Sequence, residues 1–413
     1  MTDEVARRLV LRLFRTVHRE RLEVQEGARR WVFGPEDAEL RAEVRVHNPR
    51  AWRHALRGSV GVAETHMNGD WEADDLVALF RIGARNMGRV DDARRRLHPL
   101  LHAGQRLGRL IPHNDLAGSR RNVSAHYDLG NQLFSLFLDP TMMYSCALFD
   151  FPRQSLEEAQ LAKLERICRR LRLGPDDHLL EIGTGWGGMA VHAASRYGCR
   201  VTTTTISGEQ RDYAAKRVQA AGLEDRVSVL HQDYRDLAGT FSKLVSIEMV
   251  EAVGWQYFDA YFARCSELLE PDGLMLLQAI TIDDRAFEVE KASKSFINTH
   301  IFPGGCLPSL EVVHDCIARR TDMRTVWLDD ITAHYAETLG RWRRAFANSE
   351  ALATDLGYDK RFRRMWTLYL AYVEAGFSEC RIGDVQMLLA KPEWRGTLPE
   401  AKAVERQAMV PTG

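Results

Sequence analysis

The stretch that most constrains this chain is "HLLEIGTGWGGMAVHAASRYG", residues 178–198. A short apolar run leads into three alternating glycines, Gly183, Gly185 and Gly187, and then into a helix-forming segment closed by Gly198. Strand, glycine turn and helix in that order place backbone N–H groups beside a ligand. Further segments repeat the alternation: "RVTTTTI", "RVSVLHQD", "KLVSIEM" and "LMLLQAITI" read as strands. "SLEEAQLAKLERICRRL", "GEQRDYAAKRVQAAG" and "YFDAYFARCSELLEPDG" read as helices. Ser155, with Glu158 three residues on, forms a capping-box signature. Strands alternating with helices predict an α/β fold with a doubly wound, mostly parallel sheet. Residues 282–380 read as mainly helical cover over its carboxyl edge, where such folds bind ligands.

Dinucleotide sites use G-x-G-x-x-G and an acidic residue about 20 positions later. Here the spacing is G-x-G-x-G, Glu181 precedes it, and the next strand ends "TTTTISGEQ" with no carboxylate at its tip. A loop lacking the third glycine's helix-packing position suits a ligand without pyrophosphate. S-adenosylmethionine fits, and a glycine turn of some other α/β protein is the alternative.

The chain has 56 basic and 57 acidic residues, so no net field draws it to nucleic acid. The seven cysteines are scattered without C-x-x-C spacing, which argues for reduced thiols in the cytoplasm and against a disulfide framework or zinc site. The N-terminus lacks a signal-peptide pattern, and no apolar run is long enough to span a bilayer. Residues 1 to about 80 mix helical and strand-like pieces, among them the amphipathic "VARRLVLRLF" and the alternating "RAEVRVHN". Between 81 and 121 ten arginines stand against three aspartates, with leucines interleaved. That stretch reads either as a membrane-surface element or as a solvated linker. The expected division is an N-terminal domain with basic linker over 1–118 and a ligand-binding domain over 119–413.

Several long motifs occur in order: "NVSAHYDLGNQLFSLFLDPTMMYSCALFD", "LLEIGTGWGG", "TISGEQ", "HQDYRDL", "SIEMVEAVG", "FINTHIFPGGCLPS" and "HYAETLGRWRRAF". Together they resemble the cyclopropane-fatty-acid synthase family, and "GSVGVAETHMNGDW" is similar to the N-terminal domain of its phospholipid-acting members. The resemblance implies a Rossmann-like class I methyltransferase fold. S-adenosylmethionine would be held by Tyr144, Ser145, Glu181, Gly183, Gly185, Gly187, Thr205, Ser207 and Gln210, with Asp233 and Tyr234 flanking the adenine. Each of these could instead be a local cap or turn residue. In the family, methyl transfer to a cis double bond leaves a carbocation, which needs a dry site and a base to take a proton from the new methyl. The resemblance implies bicarbonate as that base. The matching positions are Cys146, Glu251, Gln278, Ile280 and Tyr335, with Glu248 the less favoured carboxylate.

Two departures bear on the product. Gln278 stands where some members have histidine, and "EAVG" where some have "EHVG". Glutamine can donate to an anion but cannot carry charge. A weaker base lets the cation shift a hydride and end as a methylene or methyl branch, which is the alternative to a cyclopropane; a silent lipid binder is a third. The resemblance further implies an unsaturated phospholipid substrate at an anionic membrane surface, peripheral attachment weakened by salt, a homodimer, and a separate reductase if the product is a methylene. "FINTHIFPGGCLPS" could close as a lid, and Trp342, Phe346, Trp366, Tyr369 and Tyr372 could wall an acyl tunnel or simply be core.

Overall fold

The computed structural model describes residues 1–88, 130–291 and 293–396. The chain opens with α1 (Asp3–Phe14), started by the Thr2 hydroxyl accepting from the Val5 amide. It then forms β1 (Arg21–Glu26), β2 (Arg29–Phe33) and β3 (Arg41–Val46), two helices α2 (Arg50–Ala55) and α3 (Ser59–Met67), β4 (Trp71–Ala73) and α4 (Leu76–Asn86). The four strands make one sheet in the order β2-β1-β3-β4, with β1 and β3 parallel. Alternation along β1 sends Leu22 and Val24 into a core shared with Trp52, Met67, Trp71 and Ile82.

The second sheet is built from β5 (His178–Ile182), β6 (Arg200–Thr205), β7 (Val227–His231), β8 (Phe241–Ile247), β9 (Leu269–Ile282), β10 (Arg324–Asp330) and β11 (Ile382–Ala390). Its order is β10-β11-β9-β8-β5-β6-β7. The pairs from β7 to β9 are parallel, while β11 runs antiparallel to β9 and to β10. Helices α5 (Asn131–Ser135), α6 (Leu156–Leu171), α7 (Gly188–Tyr197), α8 (Gly208–Ala220), α9 (Phe258–Glu267), α10 (Asp284–Glu290), α11 (Leu310–Arg320), α12 (Thr332–Asn348), α13 (Glu350–Asp355) and α14 (Lys360–Ser378) accompany it. The α/β reading therefore holds, and the Ser155–Glu158 capping box is formed reciprocally at the start of α6.

Two expectations fail locally. The helix expected through "LEPDG" stops at Glu267, because the Phe241 amide bonds to the Leu268 carbonyl and draws Leu269 into β9. The stretch 282–380, though mostly helical, contains β10, which closes the sheet edge against β11.

The boundary expected near 118 and most of the basic stretch lie outside the described residues. Its first two arginines are in α4, and both bond to Glu379 just past α14, Arg81 at 2.7 Å and Arg85 at 2.8 Å. Arg364 of α14 donates to the carbonyls of His66 and Trp71. Helix α14 thus serves both sheets: one face meets α3 and α4, and another carries Trp366 into an aromatic cluster with Phe134 and Phe137.

Candidate active site

Two cavities meet at the carboxyl ends of β5 and β8. The first is walled by Tyr144, Ser145, Glu181, Gly183, Gly185, Thr205, Gln210, Asp233 and Tyr234, nine of the eleven residues expected to hold S-adenosylmethionine. Gly183 has φ +104°, and a Cβ there would lie 3.1 Å from Met249 Cγ. A side chain at this position is therefore strained by the backbone conformation and would also press on Met249. The two remaining residues act locally. Ser207 caps α8 by accepting from the Gln210 amide. Gly187, with φ +81°, packs where a Cβ would meet Ala214 Cβ of α8 at 3.1 Å. The third glycine thought missing from the loop is also present: Gly188 completes G-x-G-x-x-G, and a Cβ there would meet Met143 Sδ at 2.8 Å and the Thr141 carbonyl at 2.9 Å.

Around this cavity Asp233 is gripped by Arg235 Nε at 2.8 Å and Nη2 at 2.7 Å, and its carboxylate caps the following turn. Tyr234 is fixed edge-on against Tyr261. Thr205 Oγ1 donates to Gln210 Oε1 at 2.8 Å, which orients the amide. Ser145 Oγ accepts from the fully buried Lys163, whose burial lowers its pKa to about 8.

The second cavity is larger, about 1270 Å³, and runs between the two sheets. Its walls come from α1 to α4 of the N-terminal region, from residues 293–307, and from α12 and α14. The stretch expected as a lid takes part: the Phe296 amide bonds to Ser59 of α3, and the Cys306 amide to the Glu251 carbonyl. Tyr369 and Tyr372 face this cavity, whereas Trp342, Phe346 and Trp366 are buried behind it as core. Tyr144, Glu248 and Ala252 line both cavities.

The expected anion-binding residues gather around Glu248. Cys146 contributes its backbone amide, 2.8 Å from Glu248 Oε1, while its thiol is turned into the core toward the Ala147 and Ile331 carbonyls. Gln278, fully buried in β9, donates to the same Oε1 at 2.8 Å and to Asp384 of β11 at 3.0 Å. The Tyr335 hydroxyl donates to Glu248 Oε2, and its ring is stacked on Phe377. Glu251 accepts from the Ile280 amide, and its other oxygen is buried without a partner. The carboxylate ranked lower from sequence is therefore the hub, held at a left-handed backbone position, φ +48°. Non-glycine residues adopt that conformation uncommonly, at helix caps and turns as well as at functional sites. A glutamate at the end of β8, one residue beyond its last strand position, was the signal available in the sequence.

Burial raises the pKa of both glutamates, and the Glu248 charge adds to the rise at Glu251, which reaches about 8. Three donors and nearby Lys163 favour the charged form at Glu248. Burial also pushes Glu181 up to about 8, and its Oε2 is buried without a partner in the first cavity. An orphaned carboxyl oxygen beside Gly183 fits a cationic ligand group, and the residues present fit S-adenosylmethionine.

A pH dependence follows. Glu181 and Glu251 stay protonated in the folded chain up to about 8, against 4.5 for the ordinary side chain. Over that interval the folded state binds more protons than the unfolded one, so stability falls as pH rises. The ligand-free protein should melt at lower temperature near pH 8 than near pH 6, and Glu181→Gln should flatten the slope. A melting temperature equally steep in that variant would remove Glu181 from the account.

Comparison with known proteins agrees with this geometry. The family model described as mycolic acid cyclopropane synthetase matches residues 115–387. The tuberculostearic acid methyltransferase of Mycobacterium tuberculosis is 39% identical over 342 residues, 80% of this chain and 79% of the relative. The cyclopropane-fatty-acyl-phospholipid synthase of Escherichia coli strain K12 is 38% identical over 365 residues, 84% of this chain and 86% of the relative. A mycolic acid cyclopropane synthase solved with SAH and CTAB superposes with a TM-score of 0.62 at 32% identity, covering 68% of this chain and 99% of its own. By its glycine loop, its sheet order and these likenesses, the chain belongs to the cyclopropane synthase family of S-adenosylmethionine-dependent lipid methyltransferases.

Proposed function

We propose that the protein methylates the cis double bond of an unsaturated phospholipid acyl chain, with Glu248 as the base, and that the product is a methylene branch. The observation that carries this reading is the position of the Glu248 carboxylate. It accepts from the Cys146 amide, Gln278 and Tyr335, the donors expected to hold bicarbonate.

S-adenosylmethionine supplies an electrophilic methyl group when bound in the cavity of the glycine loop. Tyr144, lining both cavities and bonded through its hydroxyl to Tyr369 at 2.8 Å, sets the boundary between donor and acceptor. The apolar walls keep water from the cation that forms on the acyl chain. Glu248 lies where it can take the proton from the new methyl group. Ring closure and branching diverge on how fast that proton leaves. A carboxylate fixed in place by three donors cannot turn toward the new methyl as a bound anion can, which slows proton removal. Slow removal lets a hydride migrate, turning a secondary cation into a tertiary one, and the same proton then leaves to give a methylene. Conversion to a methyl branch is a separate reduction by another protein.

Cyclopropane formation is the second reading, supported by the synthase of Escherichia coli among the relatives. The family resemblance also supports a homodimer working at the cytoplasmic membrane surface.

The test is to incubate purified protein with S-adenosylmethionine and oleoyl phospholipid vesicles in bicarbonate-free buffer. The expected product gains one CH2 and still takes up hydrogen over a metal catalyst. A product that resists hydrogenation under those mild conditions, or a rate that needs added bicarbonate, would overturn the reading.

A further inference from the structure

We propose that the outward face of α1 is a membrane-docking surface that seats the protein on an anionic lipid bilayer. The proposal rests on the reading of a bilayer lipid as substrate. In "DEVARRLVLRLF" the inward positions are Ala6 and Val10, both buried. Val5, Leu9 and Leu13 recur every fourth residue along the flank beside them and are 47%, 45% and 52% exposed. Single exposed leucines need no explanation, but three in register over successive turns form a stripe. Thr2 caps the helix, so the stripe is held in a formed element.

Two further observations identify what the stripe meets. Arg8 and Arg12 project beside it, and Arg15 follows; all three are exposed, and the Arg8 side chain is 78% so. Apolar side chains with arginines along one border match the interface of a bilayer, where stems lie on hydrocarbon and guanidinium groups reach phosphates. A second copy of the chain suits the surface less well, since a two-fold contact through the stripe would bring the same arginines together. The other observation is continuity with the lipid cavity. Val10 and Phe14 of α1 line it, as do Leu56 and Met87, which are also partly exposed. One helix therefore carries both a cavity wall and, along its flank, an exposed apolar stripe.

The experiment compares the whole protein with Leu9→Glu/Leu13→Glu in co-sedimentation with phosphatidylglycerol-containing and purely zwitterionic vesicles. Activity on detergent-dispersed phospholipid is measured in parallel. The wild type should bind the anionic vesicles, more weakly as salt rises, and the double variant should lose about tenfold or more in vesicle affinity. Its detergent activity should stay within about twofold, because the changed side chains face solvent. If the variant melts early, Arg8→Glu/Arg12→Glu provides the same comparison without touching the leucines. Unchanged vesicle binding in both variants would overturn the proposal. So would a change from dimer to monomer with vesicle binding intact, which would assign the stripe to a second copy. A wild type that binds vesicles but leaves dispersed phospholipid unmodified would count against the substrate reading alone.

Discussion

Replacing Glu248 by glutamine should lower turnover by about 10²–10⁴-fold, the usual contribution of a positioned acid–base group. Glutamine keeps the shape, and its amide oxygen can still accept from the Cys146 amide and Gln278 while its NH2 group turns to the Tyr335 hydroxyl, but it cannot take a proton. Binding of S-adenosylhomocysteine, read by calorimetry, should change little, since the glycine loop and Asp233 are untouched. Glu248→Gly makes the complementary test. The position has φ +48°, which glycine adopts without strain. The change vacates the cradle of the Cys146 amide, Gln278 and Tyr335, so added bicarbonate or formate should restore part of the rate. An external anion is less restrained than a side chain, and the rescued product should shift toward the ring. Retention of most activity by Glu248→Gln would exclude the internal base.

Trp366→Ala should cost roughly 3–5 kcal/mol of stability, as for other large buried aromatics. Trp366 is fully buried on α14, with Phe134 and Phe137 each 6.0 Å away between ring centroids, Phe362 at 5.7 Å and Tyr369 at 5.2 Å. The same helix grips the N-terminal region through Arg364. A cavity in this cluster therefore loosens the wall shared by both sheets. Thermal unfolding should fall by on the order of ten degrees. Acyl-chain preference of the protein still folded at low temperature should be unchanged, because the ring does not line the cavity. An altered chain-length preference with unchanged melting would return Trp366 to the tunnel wall.

Much of the fold was legible in local sequence. The capping box at Ser155 and the glycine at the end of α7 fixed helix limits, because caps are satisfied by residues three or four positions away. Strands β5, β6, β7 and β8 were visible as short apolar or β-branched runs between helices. Strand β10 was missed because "RTVWLDD" carries no strict alternation, and its place is set by pairing with β11 some sixty residues later. The site divides in the same way. The glycine loop and most of the residues around it were readable, since one turn of chain supplies them.

The ranking of the two glutamates was not readable, nor which part of Cys146 faces the site. Glu248 takes its role from Gln278 in the next strand and from Tyr335 on α12, 87 residues away. Cys146 offers an amide because its thiol turns toward the Ile331 carbonyl. The sequence by itself determined the cofactor and the class of reaction, through a glycine loop compatible with S-adenosylmethionine and long motifs that resemble the synthase family. Only the tertiary structure decided which carboxylate the donors surround, because folding alone brings those donors within hydrogen-bond reach.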